Sequence, residues 1–530
     1  MLNSSSILTT TLLAPFIGGL TILLLPPRHA KKSRPLAILF AIVTLVLSIL
    51  IASCLNWNRI TFPSGDSSVQ LSLRLDLIRS LGAQYFVGVD GISVPLILLT
   101  TAISLLAIWA SYGINKSIKA YYALMLFLLA GMIGTFIALD LLLFFFFFEI
   151  SILPMLLLIG IWGGSKSLFA VAKFFIYALL GSIGIGIAIL GVYRHTLGLG
   201  ADGAAIFDVV RLATDPLIRI KFSYGGDAFH FGQMAFWLLL AGFGIRSAAV
   251  PLHTWLSDAH AEAPTPVSMI LSAILLPMGA YGLLRIAYPL FPQQAADAWY
   301  YVAAIGVLAI IYAAFVAMAQ RDFKRLVAYF SISQMGYVLL GIAVMNPIGT
   351  EGALFQQIAH GISSAMMFFV VGILSDRAHH REIPRLGGIW SHMPAYTGWA
   401  AVGFFASIGL PGLCGFIGQL LVILGTFSAG DPNSLLMRHT NSAAFVPLLW
   451  YGCLSAAATI LTAGYMLWTL QRVYMGAPKP EHQNFPGLTA SEKWILATLG
   501  LGAFILGIAP AILLEHIRPA IDGMMKLVSG

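Results

Sequence analysis

Residues 243–285 read FGIRSAAVPLHTWLSDAHAEAPTPVSMILSAILLPMGAYGLLR, and the way this stretch fails to be one continuous helix decides the fold. An apolar segment from Gln233 to Ala249 carries a single arginine, Arg246, and breaks at Pro251. A short polar turn with Asp258, His260 and Glu262 follows, and a second apolar segment begins at Val267. A full charge at membrane depth is costly unless it faces protein or water. Helix breakers are tolerated there only where the freed backbone lines a cavity or is buried in protein. A buried cation beside a broken helix predicts a protein that carries an ion pathway.

The rest of the composition agrees with a membrane setting. Of 530 residues, 59% are apolar and only 9% charged, with a mean hydropathy of +0.89. Soluble domains carry about a quarter charged residues, so this composition is that of an integral membrane protein. The N-terminus lacks a basic region, and Leu8 to Leu25 is long enough to remain as a span, so no cleaved signal is expected. Cys54, Cys414 and Cys453 are scattered without metal or redox spacing. The net charge of +8 sits mostly in loops between spans, which predicts a membrane topology and no nucleic-acid partner.

The pattern predicts an all-α protein of about fourteen transmembrane helices: 7–25, 35–56, 91–112, 119–139, 141–162, 168–193, 233–249, 267–289, 299–318, 325–346, 352–374, 397–429, 444–471 and 492–514. Alternate short loops are basic. They hold Arg28, Lys31, Lys32 and Arg34; Lys116 and Lys119; Arg321, Lys324 and Arg325; Arg377, Arg381 and Arg385; and Arg472, Lys479 and Lys493. The loops near 290–298 and 346–351 have no Lys or Arg. The positive-inside rule then puts the basic loops in the cytoplasm and both termini outside. The long segments 57–90 and 194–231 fall on the outer side. Two spans are interrupted, the seventh at Pro251 and the twelfth at Pro411-Gly412. Paired breaks in corresponding halves point to two inverted five-helix repeats around a central site. The expected layout is 1–118 for helices 1–3, 119–290 for the first repeat, 297–475 for the second, and 476–530 for the C-terminal helix.

Few residues inside these spans bear chemistry. Glu149, after Phe144 to Phe148, is the only acid well inside a span and reads as a proton or ion relay group. The phenylalanines themselves read as lipid contact and packing. Arg246 is its natural partner, expected within salt-bridge reach, but a guanidinium does not pass protons on. Lys173 is either a relay member or a snorkelling anchor. His360, near Ser363 and Ser364, is either a packed polar group or part of a hydrogen-bonded chain. His253 and His260 flank Asp258 without a complete metal set and read as solvated loop residues. His379 and His380 read as cytoplasmic. Gly184-Ile185-Gly186 lacks the third glycine of a dinucleotide fingerprint and reads as helix packing.

The stretches FFFFFEISILPM, KFFIY, VPLHTWLSDAHAEAPTPVSMILSAILL, DFKRLVAYFSISQMGYVLLG, QIAHGISSAMMFFVVG, DRAHHREIPRLGGIW and GLPGLCGFIGQLLVILGTF cover the chain from about Phe144 to Phe427. With them the chain resembles the antiporter-like membrane subunits of respiratory complex I, the proton-translocating NADH:quinone oxidoreductase, and among them the M (chain 4) type. The resemblance implies two inverted repeats, a central axis of titratable residues, no redox cofactor in this chain, and a place beside other membrane-arm subunits in the bacterial inner membrane. By that resemblance Glu149 and His360 match the fifth-span glutamate and eleventh-span histidine. The seventh-span lysine falls on Arg246, the eighth-span lysine on Pro277, the tenth-span histidine on Gln334 and the twelfth-span acid on Gln419. These departures remove proton-exchanging groups, and Pro277 also denies the Ala273 carbonyl its helical donor. The expected function is therefore coupling of quinone reduction to proton movement through a weakened relay. The alternatives are a non-pumping structural paralogue, or a subunit of a cation/proton antiporter or membrane-bound hydrogenase.

Overall fold

The computed structural model describes residues 6–57, 69–200, 203–224, 231–440, 443–480 and 485–529. The two extreme ends, 58–68 in the first long outer segment, and 201–202 and 225–230 in the second lie outside the described residues. In chain order the main elements begin with α1 (Ile7–Leu24), α2 (Ser33–Cys54), β1 (Gln70–Ile78), β2 (Ala83–Val89), α3 (Ser93–Ala110) and α4 (Ile118–Ile137). They continue with α5 (Leu141–Trp162), α6 (Ser167–Thr196), α7 (Phe231–Arg246), α8 (Thr254–Glu262), α9 (Thr265–Leu290), α10 (Pro292–Met318), α11 (Phe323–Ala343) and α12 (Pro347–Ala378). The last are α13 (Pro394–Ile408), α14 (Cys414–Ser428), α15 (Phe445–Tyr474), α16 (Ala490–Ile508) and α17 (Ala511–Ser529).

Among the described residues, twelve helices are long and apolar enough to cross a membrane, and α7 and α14 are shorter apolar helices. Each expected span has a counterpart. The interrupted seventh is α7 followed by α8, and the interrupted twelfth is α13 followed by α14. At the second break, Gly409 and Gly412 take φ of +86° and +93°, a left-handed backbone that favours glycine.

The centre of the bundle is α9. It is buried without interruption from Pro266 to Leu290, as a helix apolar all round must be. It is not a uniform α-helix. Pro277 has no N–H to offer one turn back, and just before it the helix widens to π geometry over Leu271–Leu275, with the Leu276 N–H bonding the Leu271 carbonyl. A second wide turn spans Leu283–Ala287. Close approach to α7 is allowed by Gly279, where a Cβ would lie 2.3 Å from Ser247 Oγ.

Three features were not legible in the sequence pattern. An antiparallel hairpin, β1–β2, lies in the long segment between α2 and α3. The α4–α5 link is drawn alongside it: Leu139 donates to the Phe86 carbonyl (2.9 Å), and Leu141 to that of Phe207 (2.8 Å). In that link Asp140 caps α5, accepting from the Leu142 and Leu143 amides at Oδ1 and from Gln84 N–H at Oδ2. The last helix, α17, follows the final span, which ends at Ile508 instead of the expected 514.

A buried ion pair ties this end of the bundle to the core. Arg285 Nη2 lies 2.7 Å from Asp90 Oδ1, with side chains only 2% and 3% exposed. Arg285 Nε also donates to the Tyr281 hydroxyl, which donates to the Phe136 carbonyl. Burial pushes the Asp90 carboxyl up, but the Arg285 charge and hydrogen bond and two backbone amides outweigh it and hold Asp90 below the usual carboxylate range. Its contribution is therefore present at neutral pH and is lost only as pH falls through that lowered value.

Two measurements check these outer contacts. Asp90→Ala removes the carboxylate that faces the buried Arg285 charge, a loss of ~3–5 kcal/mol, whereas Asp90→Leu with Arg285→Met costs much less. Subunit abundance in membranes should follow that order. Burial, with the nearby Asp208 charge, pushes Asp140 up to about 6 despite its three amide donors. Its ionisation therefore disfavours the fold as pH rises from an unfolded value near ~4. The melting temperature of the parent minus that of Asp140→Asn should decrease from pH ~5 to ~7; an increase would refute the assignment.

Candidate functional site

The residues singled out on α5 and α7 meet, but not as an ion pair. Glu149 is half-buried and accepts at Oε2 from Ser182 Oγ of α6 (2.6 Å), while Oε1 has no hydrogen-bond partner. Arg246, 3% exposed, makes no hydrogen bond to it. Its Nη2 donates to the Phe148 carbonyl (2.7 Å) and Ser151 Oγ (3.0 Å), and its guanidinium carbon lies 4.5 Å from the Phe148 ring centroid. The expected salt bridge is thus corrected. The single-residue interruption of α5 at Ser151 exposes acceptors that the guanidinium takes in preference to the carboxylate. The Arg246 charge still acts on Glu149. Beside Arg246 is a cavity of about 10 Å³ lined by Phe148, Ser182, Arg246 and Trp255 among others, room for about one water.

The break after Arg246 is held by named contacts. The Trp255 indole donates to the Ile245 carbonyl (3.1 Å) and stacks on Phe174 (4.5 Å, 11°). Asp258 of α8 binds Lys173 of α6 (2.8 Å) and Arg325 of α11 (3.0 Å). Lys173 also donates to the Thr254 carbonyl. Lys173 is accordingly a clasp on the broken helix.

His253 and His260, read as solvated loop residues, are both buried (3% and 0% exposed). The reason is that residues 254–262 form a helix tucked inside the bundle and not an open turn. Lys324 departs in the same way: it is 4% exposed and gives its Nζ to the Ala263 carbonyl. These burials are signalled in sequence only by the absence of glycine or proline between Thr254 and Ala263.

In the second half of the bundle, Ser272 Oγ pairs with Ser331 Oγ (2.9 Å) and stands 3.5 Å from His360 Nε2. The Ala273 carbonyl faces Gly361, where a Cβ would sit 3.0 Å from it. Further along, Gln334 Oε1 accepts from both Gln356 Nε2 (2.7 Å) and Gln419 Nε2 (2.9 Å). Gln334, Gln356 and Gln419 are buried to within 4% or less of full enclosure, and Gln357 beside them has no partner at either amide atom. This amide knot joins α11, α12 and α14. Gln356 and Gln357 were not foreseen from the sequence. The glycines at 181 and 184 pack against α7, where a Cβ on either would lie 3.2 Å from a backbone oxygen. Among the described residues no group of three or more His, Cys, Asp or Glu is placed to hold a metal ion.

Arg246 makes two charge-assisted hydrogen bonds and Glu149 one, and a hydrogen bond to a charged group contributes ~1.5–3 kcal/mol. Arg246→Leu should therefore reduce retention of the subunit in the detergent-solubilised assembly more than Glu149→Ala. The reverse order would show that a direct ion pair carries the site.

The family described as NADH:quinone oxidoreductase/Mrp antiporter, TM matches residues 138–444. NADH-quinone oxidoreductase subunit M of Rhodobacter capsulatus is 36% identical over 450 residues, covering 84% of this chain and 83% of that protein. Subunit M of Rickettsia bellii is 34% identical over 528 residues, 98% of each chain. A chain of respiratory complex I from Thermus thermophilus, solved with bound NADH, superposes with a TM-score of 0.82 at 26% identity, covering 99% of this chain and 100% of that one. The broken helices, the buried polar line and these likenesses agree: the chain belongs to the NADH:quinone oxidoreductase/Mrp antiporter transmembrane family, as an antiporter-like membrane subunit of the M (chain 4) type.

Proposed function

We propose that this chain is a membrane-arm subunit of a bacterial proton-translocating NADH:quinone oxidoreductase whose own proton relay is weakened. Its neighbours are other antiporter-like subunits. Electron transfer takes place elsewhere in the complex, and both termini face the outer side of the inner membrane. Large apolar side chains exposed along α6, such as Leu168, Phe169, Leu180 and Leu190, suit a surface shared with lipid and an adjoining subunit. The inverted repeats, 119–290 and 297–475, are the two half-channels of this reading.

The observation that carries the weakened relay is the amide knot. A relay needs consecutive groups that each bind and release a proton, joined by side chains or water. Glu149 and His360 do so. Arg246 holds a permanent charge, Pro277 supplies no side-chain donor or acceptor, and Gln334, bonded to Gln356 and Gln419, neither gains nor loses a proton near neutrality. Water joined to the small cavity beside Arg246 can bridge one gap. A knot of three amides with a shared acceptor does not provide a titrating step at the other end.

The deciding measurement is protons moved per electron pair in the intact complex. Restoring Arg246→Lys, Pro277→Lys and Gln419→Glu together should raise the ratio, and Glu149→Gln in the parent chain should change it little. If Glu149→Gln alone abolishes pumping at normal assembly, the native path is fully active and the proposal fails. No rise from the triple variant at normal assembly favours a purely structural subunit instead.

A further inference from the structure

Among the described residues Glu149 has one hydrogen-bond partner, the Ser182 hydroxyl, and that hydroxyl makes more contacts than it has protons to give. Ser182 Oγ lies 2.6 Å from Glu149 Oε2 and 2.8 Å from the Ala178 carbonyl, one turn back on α6. A hydroxyl carries one hydrogen and two acceptor lone pairs. Its hydrogen points along one of these lines, and the other contact is a hydrogen bond only when the group there is the donor. A backbone carbonyl has no proton to donate, whereas a protonated carboxyl has one. Both contacts are therefore satisfied together in one way. Glu149 carries a proton on Oε2 and donates it to Ser182 Oγ, and Ser182 donates to Ala178.

When Glu149 is ionised, the same oxygen positions serve with the hydroxyl hydrogen turned round. Ser182 then donates to Oε2, and 2.6 Å suits an O–H bond to a carboxylate. The Ala178 carbonyl gives up only its second bond. Residues 178 and 182 lie inside the continuous helix α6, where the backbone N–H of 182 still reaches that carbonyl.

The surroundings leave this task to the hydroxyl. A Cβ on Gly181 would lie 3.2 Å from the Gly242 carbonyl oxygen, so α6 is seated closely on α7 beside Ser182. From α7 the Arg246 charge acts on the carboxyl, but its Nη2 is engaged by Phe148 and Ser151. Ser182 also lines the small cavity beside Arg246.

We infer that Ser182 is a positioning residue for Glu149: its hydroxyl accepts from the protonated carboxyl and donates to the ionised one. Glu149 thereby changes charge without either side chain moving. A hydroxyl suits both states because it is donor and acceptor at once, whereas an ammonium or guanidinium only donates. The inference rests on Glu149 exchanging a proton, as proposed above, but its test does not depend on protons being pumped.

Infrared spectra of the intact complex supply that test, with the Glu149 bands assigned by subtracting the spectrum of Glu149→Gln. At acid pH the parent should show a protonated-carboxyl C=O band that gives way to carboxylate bands at alkaline pH. Ser182→Ala should move the C=O band to higher wavenumber, because a hydrogen bond is lost, and should shift the carboxylate bands as well. Ser182→Thr, which keeps the hydroxyl, should restore both. Bands that move in this way leave the positioning role standing whatever the proton ratio proves to be. If Glu149 still titrates but its bands in either charge state ignore Ser182→Ala, the positioning role fails and the relay reading is untouched. If no protonated band exists at any pH, the inference falls together with Glu149's place in the relay.

Discussion

Backbone that leaves helical geometry inside a hydrocarbon layer must find hydrogen-bond partners within the protein, because lipid offers none. The break between α7 and α9 meets this requirement largely with cations and one indole. Trp255 donates to the carbonyl of Ile245, Lys173 to that of Thr254, Arg381 to that of Ala261 and Lys324 to that of Ala263. Arg246 does the same for the interruption in α5 at Phe148. The charged groups that make this region look like an ion pathway are thus also the caps that let the chain break there. Placing a helix break at the core and placing charges at the core are one structural decision.

That double duty bears on the residues found at 246, 277, 334 and 419. The arginine at 246 performs the capping task with one nitrogen, Nη2, which donates to two acceptors. At 277 the proline is accommodated by the wide turn just before it, so α9 remains continuous and buried. At 334 and 419 the amides join three helices through one shared acceptor, Gln334 Oε1. In each case hydrogen bonding or packing is conserved in the physical sense while proton exchange is not. A fold held by donors and acceptors does not require that those groups titrate.

The architecture was legible because its signals are long and periodic: apolar runs of bilayer length, basic alternate loops, and two prolines inside such runs. Glu149, Arg246 and His360 were legible as polar residues in apolar surroundings. Three things were not. The bonding of Arg246 to Phe148 and Ser151 depends on a one-residue interruption at Ser151 that nothing in FFFFFEISILPM announces. The burial of His260 and Lys324 depends on a helix folding back into the bundle, and both stand in stretches as polar as a loop. The β1–β2 hairpin and the strand-like α4–α5 link are short elements in outer segments where length and composition carry no membrane signal. Local pattern reports what a residue is next to in sequence, whereas these contacts come from elements far apart in the chain.

Arg246 also bears on how the subunit responds to voltage. Moving one elementary charge through the full membrane potential is worth about 2.3 kcal/mol per 100 mV. A lysine in that place can contribute to this electrical work by losing and regaining its proton while staying still. Arg246 cannot, and its guanidinium is anchored to Phe148 and Ser151. The first half of the bundle therefore holds a fixed charge in the field, which biases the local potential without being part of the displacement current.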